Sequence, residues 1–542
     1  MYTGEMLWPK ALTEDMVERH YADGAILRTY PDLPKNMYTA MKNTANRLPN
    51  KTAIVDDGGN ACSYECLRRE TEAYSVWLYQ DMQIRKGQHV ALLLYNSIKF
   101  CVACLALNRI GAVVIPLPTK YKKEEILSLV GKSEAALILC DEKFMDYFDN
   151  CPRKDLQVCK VKTRTKQDLS AQHCEKSDDL EEYEFEDKTD AADPAFLMFT
   201  SGTTSQSKGV MLKNYQVMHA IVSYQRTLGI VEEERAILPV PVYLITGLVA
   251  VFGLMMYVGG TVYLHRFFDA ARVLETIKGD QITFLHASPT VFTLLLEKRE
   301  AYQTLPSLRM LACGSSNMPP AKIQMLHQWL PHCAFRTVYG LTETTSPATV
   351  FPADASQSAY LGASGIPIPG VTVKIVDEEG REAEDGTKGE IWLKGSNVAN
   401  TYYPMDASAA LGGWLKTGDI GYLNKDGYLY VTDRIKDMIN RGGEKICSFD
   451  VENELLRICG VEDTAVVGIP DECYGEIPVA VVVLKEGSLL SETKLQALLK
   501  ERMAGYKVPV HIFKVDQIPV TENLKTDKKT IRTLFQRVEK GE

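Results

Sequence analysis

One stretch of the chain decides the fold, Phe199-Thr200-Ser201-Gly202-Thr203-Thr204-Ser205-Gln206-Ser207-Lys208-Gly209. It consists mainly of hydroxyl-bearing residues and glycines, and it follows the apolar segment Ala195–Phe199. The pattern predicts a strand that leads into a loop whose main-chain N–H groups and hydroxyls surround phosphate oxygens. Small residues let the backbone approach an anion, and Lys208 adds a positive charge. An ordinary polar surface loop remains the alternative, because loops rich in Ser, Thr and Gly are common.

The loop differs from the Walker A motif. Ser207 stands where that motif has glycine, and Gly209 stands where it has Ser or Thr. The candidate phosphate-binding residues are Thr200, Ser201, Gly202, Thr203, Thr204 and Lys208.

Three further segments place hydroxyls, carboxylates and basic side chains in a similar setting: Tyr339-Gly340-Leu341-Thr342-Glu343-Thr344; Lys416-Thr417-Gly418-Asp419 with the following Gly427–Arg434; and Pro519-Val520-Thr521-Glu522-Asn523-Leu524-Lys525. In this order and at these separations, the four segments together resemble the adenylate-forming superfamily. That superfamily contains acyl-CoA synthetases, the adenylation domains of nonribosomal peptide synthetases, and luciferases. The resemblance covers residues 38 to 534.

Length and composition set the outer limits. A chain of 542 residues predicts two or more domains, and 45% hydrophobic with 24% charged residues is ordinary for a soluble globular protein. A net charge of -9 argues against a nucleic-acid partner. The start of the chain lacks a signal-peptide pattern, and the apolar run Leu248–Gly260 is too short to span a bilayer. We therefore expect a cytoplasmic protein with no membrane span.

The 13 cysteines form no regular framework, so we expect reduced thiols rather than disulfides. Cys101-x-x-Cys104 lies in the apolar stretch Phe100–Ile110, which predicts a buried helix and core packing rather than a metal or redox site.

Alternating apolar strands and amphipathic helices predict an α/β fold with parallel sheets flanked by helices. After Gly362, short strands separated by glycines and prolines predict a small β-rich subdomain at about 362–433, and an α+β unit follows. The resemblance implies a large N-terminal domain, residues 1–435, and a small mobile α+β C-terminal domain, residues 436–542, that carries the catalytic lysine.

The resemblance also implies the chemistry. A carboxylic acid would attack the α-phosphate of ATP, giving an acyl-adenylate and pyrophosphate, and coenzyme A would then take the acyl group as a thioester. Such a site needs cations and N–H donors around the phosphates, with ATP, Mg²⁺ and coenzyme A as cofactors. The loop from Thr200 to Gly209 would hold phosphates, although Ser205 and Ser207 replace the glycine and proline of the commonest family form.

In the second segment, Thr342 would hydrogen-bond the α-phosphate, Glu343 would bind Mg²⁺, and Tyr339 and Gly340 would border the nucleotide. A helix that starts with Thr342 as its cap is the alternative for these residues.

The resemblance implies that Asp419 accepts hydrogen bonds from both ribose hydroxyls and that Arg434 donates to the same ribose; the alternative is a turn aspartate and a surface arginine. Gly314, Ser315 and Ser316 would line the adenine and acyl pockets, with Ser315 in place of a usual second glycine.

The C-terminal candidates serve the two half-reactions. Lys525 would bridge the substrate carboxylate and the α-phosphate, although Leu524 replaces a usual glycine and Lys528 and Lys529 lie close by. Lys436 would be the hinge residue. Gly442 and Gly443 would enter the site after the domain rotates and border the pantetheine tunnel.

Alternatives remain open at this point. A stand-alone adenylating enzyme could load the acid onto a carrier protein's phosphopantetheine, a luciferase-like oxygenase shares the first step, and a non-catalytic nucleotide-binding or scaffold protein is a further class. Leu244 stands where relatives often have histidine, which favours a hydrophobic acid, aliphatic or aromatic. The sequence leaves the acid and the oligomeric state open.

Overall fold

The computed structural model describes residues 1–163, 183–186, 188–199, 208–399, 402–403, 413–521 and 525–539. The predicted phosphate loop, apart from its ends at Phe199 and Lys208, lies outside these ranges. Five sheets and the helices around them make up the described chain. The helices are Gly4–Leu7, Met37–Arg47, Tyr64–Gln80, Ile98–Ile110, Lys123–Ser133, Asn214–Leu228, Leu254–Val258, Ala270–Gly279, Pro289–Leu296, Pro320–Trp329, Ser448–Leu456, Glu492–Lys500 and Lys528–Glu539.

The first sheet carries both strands that flank the predicted phosphate loop. In spatial order its strands are Tyr402–Tyr403, Gly209–Lys213, Pro194–Phe199, Val113–Pro116, His89–Leu93, Leu137–Asp141 and Gln157–Val161. The strand that ends at Phe199 is antiparallel to the strand that starts at Gly209, so the loop connects two adjacent strands. The remaining neighbours pair in parallel, apart from the edge strand at Tyr402.

The second sheet is also mainly parallel. Its strands in spatial order are Ile366–Pro367, Thr349–Val350, Ala334–Tyr339, Met310–Cys313, Phe284–Ala287, Arg235–Leu238, Thr261–Leu264, Thr52–Val55 and Ala61–Ser63. One buried apolar cluster contains residues of both sheets and of the helices on them, so the two sheets share a core. The predicted α/β class with parallel sheets is confirmed.

Local signals explain where the helices begin and end. The helix Ile98–Ile110 starts after Ser97, whose hydroxyl accepts a hydrogen bond from the N–H of Phe100 at 3.2 Å. It ends at Gly111, whose φ of 85° belongs to the left-handed region that glycine tolerates. Cys101 and Cys104 are buried within this helix, in the core. The apolar run Leu248–Gly260 falls largely in a buried helix: a π-helix, Thr246–Gly253, is continued by the α-helix Leu254–Val258.

Two small sheets complete the N-terminal part. The third sheet is antiparallel, with strands Tyr2–Thr3, Val371–Val376, Gly389–Gly395, Leu415–Leu423 and Leu429–Arg434, and it occupies the predicted β-rich region. Within the segment Gly427–Arg434 the strand starts at Leu429, because the N–H groups of Gly427 and Tyr428 donate back to Asn424 in a turn. The fourth sheet pairs Val17–His20 with Ile26–Thr29.

The fifth sheet lies at the C-terminal end of the chain. Its strands are Glu444–Ile446, Ile439–Arg441, Gly475–Leu484, Val461–Asp471 and His511–Lys514. Its apolar clusters contain residues between Ile439 and Phe535, whereas the large cluster of the first two sheets ends at Leu429. The domain boundary at residues 435 and 436 stays a prediction.

Ion pairs connect the fifth-sheet region to the rest of the chain. Lys322 Nζ lies 2.7 Å from Asp463 Oδ1, and Lys388 Nζ lies 3.2 Å from Asp450 Oδ2. A third pair joins Lys445 to Glu378. Lys322 is buried, with 7% of its side chain exposed, and also donates to Thr293 Oγ1 at 2.9 Å.

Within the described ranges, no helix is long and apolar enough to cross a bilayer.

Candidate active site

The predicted site segments meet at one edge of the second sheet. Its strands Arg235–Leu238, Phe284–Ala287, Met310–Cys313 and Ala334–Tyr339 run in parallel, so their carboxyl ends lie side by side. Gly314–Ser316 and Tyr339–Thr344 leave from two of these ends, and the segment around Leu244 follows a third. Ligands of open parallel sheets bind at this edge, which makes it the candidate site.

Asp419 is the best-positioned carboxylate of this site. Tyr339 Oη donates to Asp419 Oδ2 at 2.8 Å, and Arg434 Nε lies 3.0 Å from Asp419 Oδ1. Asp419 and Arg434 face each other across adjacent strands of the third sheet. Burial raises the pKa of Asp419, while Arg434 and the hydrogen bond from Tyr339 lower it. The structure thus brings together three of the predicted nucleotide-site residues; their contact with ribose stays a prediction.

Glu343 is the predicted magnesium ligand, and it lies half-buried beside the first sheet. Tyr402 Oη donates to Glu343 Oε1 at 3.2 Å. Burial raises the pKa of Glu343, so a cation nearby would stabilise its ionised form. Within the described ranges no group of three or more His, Cys, Asp or Glu side chains could hold a metal ion alone. The role of Glu343 as a magnesium ligand stays a prediction.

Tyr402 is a site residue that the sequence reasoning missed. Its strand pairs with Gly209–Val210, directly after the predicted phosphate loop, and the ammonium of Lys208 lies 5.3 Å from the centre of its ring. Tyr402 therefore links the end of that loop to Glu343. Nothing in the sequence around this two-residue strand marks it out, because the link depends on strand pairing between distant segments.

The backbone between Gly340 and Ser346 is tightly folded. Thr342–Thr344 form a single turn of 3-10 helix, not the start of the longer helix considered as the alternative. Thr345 and Ser346 follow with φ of 53° and 95°, which non-glycine residues rarely adopt and which cost free energy. A Cβ at Gly340 would lie 1.5 Å from the carbonyl oxygen of Ser346, so only glycine fits there.

The two segments predicted to border the acyl group lie at the sheet edge. Ser315 and Ser316 are exposed, and Ser315 has φ of 73°, the conformation that explains why glycine is usual at this position. Asn96, also missed from the sequence, fixes the segment before Leu244. Its side chain donates to the carbonyl of Val240 at 2.9 Å and accepts from the N–H of Val242 at 2.8 Å.

Lys525 lies close enough to Asp419, Arg434 and Lys436 for their charges to act on it. Burial and the two cations lower the pKa of Lys525 to about 8, and Asp419 partly opposes them. A turn orients the segment, since the N–H of Lys525 donates to Thr521 Oγ1 at 3.2 Å. Lys528 instead donates to Ser448 Oγ at 2.9 Å, and Lys529 is exposed. The placement favours Lys525 over both neighbours, and its catalytic role stays a prediction.

The predicted glycine-rich strand lies on the surface of the fifth sheet. Gly442 and Gly443 are exposed; Gly442 donates to the carbonyl of Tyr474 at 2.7 Å, and Gly443 donates to Asn440 Oδ1 at 3.1 Å. Both glycines thus bond within their own sheet, while Lys525 reaches the Asp419 group. Thr200, Ser201, Gly202, Thr203 and Thr204 lie outside the described residues.

Comparison with known proteins assigns the chain to a family. Residues 41–403 match the family model of the AMP-binding enzyme, and residues 450–525 match that of the AMP-binding enzyme C-terminal domain. The chain therefore belongs to the AMP-binding enzyme family. This result confirms the resemblance to the adenylate-forming superfamily that the four sequence segments indicated.

Named relatives narrow the class of enzyme within this family. The 2-succinylbenzoate–CoA ligase of Bacillus velezensis is 32% identical over 502 residues, which cover 92% of this chain and 97% of the relative. The feruloyl-CoA synthase of Amycolatopsis is 31% identical over 496 residues, covering 91% and 97%. The structure of the O-succinylbenzoate coenzyme A synthetase of Bacillus subtilis in complex with ATP and magnesium has a TM-score of 0.77 at 28% identity, covering 91% and 99%.

These relatives confirm the predicted class. The chain is an AMP-forming acid–thiol ligase that activates a carboxylic acid as its adenylate and transfers the acyl group to coenzyme A. The predicted use of ATP, Mg²⁺ and coenzyme A is confirmed in the same way. Relatives of this kind do not favour the alternative of carrier-protein loading.

Proposed function

We propose that this ligase activates a hydrophobic carboxylic acid at the site built around Asp419, Glu343 and Lys525, in the cytoplasm. The observation that carries the proposal is the position of Lys525, which lies close enough to the buried Asp419 and its exposed partner Arg434 for their charges to act on it. A positive charge there neutralises the repulsion between the acid's carboxylate and the α-phosphate of ATP.

In the first half-reaction, the site orients the two anions. Asp419, held by Tyr339 and Arg434, accepts hydrogen bonds from the ribose hydroxyls. Thr342 donates to the α-phosphate, and Lys208 with the loop before it holds the phosphates that leave as pyrophosphate. Glu343 holds Mg²⁺, which supplies positive charge to the phosphates. The carboxylate oxygen of the acid attacks the α-phosphorus, and the bond to pyrophosphate breaks.

In the second half-reaction, the thiol of coenzyme A attacks the acyl carbon and AMP leaves. Lys525 is not needed in this step, and it fills space at the site. We propose that the C-terminal segment turns about Lys436, so that Gly442 and Gly443 replace Lys525 at the site. Lys436 is exposed, and ion pairs rather than a shared apolar core hold the segment, so such a turn exposes little apolar surface.

The substrate class follows from the residues at the sheet edge. Leu244 is half-exposed beside the buried Tyr243, so this wall of the pocket is apolar. The relatives named above act, by their names, on 2-succinylbenzoate and on ferulate, which both carry an aromatic ring. We therefore propose an acid with an aromatic or aliphatic body.

An ATP–pyrophosphate exchange screen over a panel of carboxylic acids, with product analysis, tests this function. We expect exchange with at least one apolar acid, and AMP with pyrophosphate as products. ADP and phosphate would refute the proposal, because they require attack at the γ-phosphate. Adding either coenzyme A or a phosphopantetheinylated carrier protein then identifies the acceptor: coenzyme A should support turnover and the carrier protein should not.

A further inference from the structure

One buried side chain beside the site lacks a hydrogen-bond partner among the described residues. His286 lies on the strand Phe284–Ala287 with 1% of its surface exposed. Among the described residues, no group hydrogen-bonds either of its ring nitrogens. Buried polar groups of folded proteins nearly always have such a partner, so this histidine requires an explanation.

A second buried histidine shows how a purely structural one is satisfied. His219 is fully buried too, and its Nδ1 lies 2.7 Å from Thr29 Oγ1 and its Nε2 lies 2.9 Å from the carbonyl oxygen of Pro369. Both ring nitrogens of His219 therefore have partners, whereas the buried His265 has one for Nε2 alone, Thr276 Oγ1 at 3.0 Å. Among the described residues, His286 has a hydrogen-bond partner for neither nitrogen.

The position of His286 points to the acyl pocket. A Cβ built on Gly314 would lie 3.4 Å from His286 Nε2, so this nitrogen faces the segment Gly314–Ser316. The ring also stands edge-on to Tyr224, with the ring centres 5.7 Å apart, and Tyr224 Oη lies 2.8 Å from Ser346 Oγ. His286 thus borders the segment Gly314–Ser316 and connects through Tyr224 to Ser346, which follows the segment Tyr339–Thr344.

We propose that His286 is a specificity-determining residue that hydrogen-bonds an uncharged oxygen, keto or hydroxyl, on the body of the acid. This inference rests on the proposed function, since it places the acid at the same sheet edge. The acid would then be an oxygen-bearing one, and not a plain hydrocarbon chain or ring.

The charge state of the His286 ring determines whether it can hydrogen-bond a charged or an uncharged oxygen of the acid. Burial lowers the pKa of His286 to about 3, so the ring is neutral at physiological pH and has one donor and one acceptor nitrogen. A neutral ring beside the aromatic rings of Tyr224 and Phe284 cannot balance the charge of a second carboxylate, and burying that charge unpaired is costly. A keto or hydroxyl oxygen carries no such cost.

Matched pairs of acids test the inference on the unmodified enzyme. Each pair consists of a plain acid and the same acid with one added oxygen: phenylpropanoate with its ring-hydroxylated forms, and straight-chain acids with their keto forms, the oxygen placed at successive positions. For at least one position we expect kcat/KM in ATP–pyrophosphate exchange to be about 10- to 100-fold higher for the oxygenated acid, the cost of leaving one buried polar group unpaired. Equal values at every position would overturn the proposal and would indicate that water occupies the site.

The variant His286→Phe keeps an aromatic ring and removes both nitrogens. We expect it to lose the preference for the oxygenated acid, mainly through a higher KM for that acid, while exchange with the plain acid and the KM for ATP stay within about twofold. His332→Phe is the control: His332 is exposed, its Nε2 lies 3.1 Å from the carbonyl oxygen of Leu305, and this variant should keep the preference. An equal loss for both acids in a variant with unchanged melting temperature would contradict the proposal.

The two proposals fail in different ways. If no acid supports exchange, the proposed function is wrong. If plain and oxygenated acids support exchange equally, the function holds and the role of His286 is wrong. If His286→Phe does not fold, the comparison of matched acids on the unmodified enzyme decides the question.

Discussion

Lys525 is the residue whose charge we expect to limit acid activation at high pH. Its pKa of about 8 lies well below that of an ordinary lysine, because burial, Arg434 and Lys436 all disfavour the ammonium form. Such a lysine is about 90% protonated at pH 7 and about 10% protonated at pH 9. If only the ammonium form neutralises the attacking carboxylate and the α-phosphate, kcat/KM for adenylate formation should fall about tenfold over this range. The phosphates of bound ATP favour the charged form, so kcat should fall at higher pH than kcat/KM.

The assay is ATP–pyrophosphate exchange across this pH range, with two variants of Lys525. Lys525→Arg keeps a positive charge throughout, so its profile should stay flat where the unmodified enzyme declines, even if its rate is lower. Lys525→Ala should lose about 100- to 1,000-fold in adenylate formation and retain thioester formation from preformed acyl-adenylate. Lys529→Ala, an exposed neighbour, is the control and should behave as the unmodified enzyme does. A decline of the Lys525→Arg profile at the same pH as the unmodified enzyme would refute the reasoning.

Three further changes test other parts of the site. Glu343→Gln should raise the Mg²⁺ requirement and greatly slow adenylate formation, with AMP affinity nearly intact; an unchanged Mg²⁺ titration would count against the metal role. Tyr402→Phe removes the hydrogen bond to Glu343, so the same titration should shift in the same direction with a loss of about 2- to 10-fold in rate; no shift would leave Tyr402 a packing residue. Lys436→Pro should restrict the turn about this residue, so single-turnover measurements should show slower thioester formation while adenylate formation persists; an unimpaired second step would contradict the hinge.

Much of the site was predictable because its parts lie at the ends of strands. The apolar stretches before Gly314 and Tyr339 marked two parallel strands, and parallel strands bring their carboxyl ends to one edge. The pairing of Asp419 with Arg434 was only partly within reach. A short turn joins their two strands, but a bulge between Ile420 and Gly421 shifts the register by one residue, and this shift brings Arg434 opposite Asp419.

What escaped prediction depends on contacts between distant segments. Tyr402 reaches Glu343 only because its strand pairs with Gly209–Val210, and Asn96 reaches the segment before Leu244 from a loop far earlier in the sequence. His286 looked like any residue of an apolar strand, and only the geometry shows that its nitrogens have no described partner. The backbone conformation was not predictable either. Thr345 and Ser346 adopt positive φ, which no sequence pattern for these residue types would indicate.

The ion pairs that hold the C-terminal segment make its attachment sensitive to dissolved salt. The pairs Lys388–Asp450 and Lys445–Glu378 are exposed, so counter-ions can take the place of either partner, and at physiological ionic strength charges are screened beyond about 8 Å. Lys322 differs, because its buried ammonium regains a full hydration shell when it leaves Asp463. On the proposed turn about Lys436, we expect ionic strength to shift the balance between the two half-reactions without any contact with the acid, the nucleotide or coenzyme A.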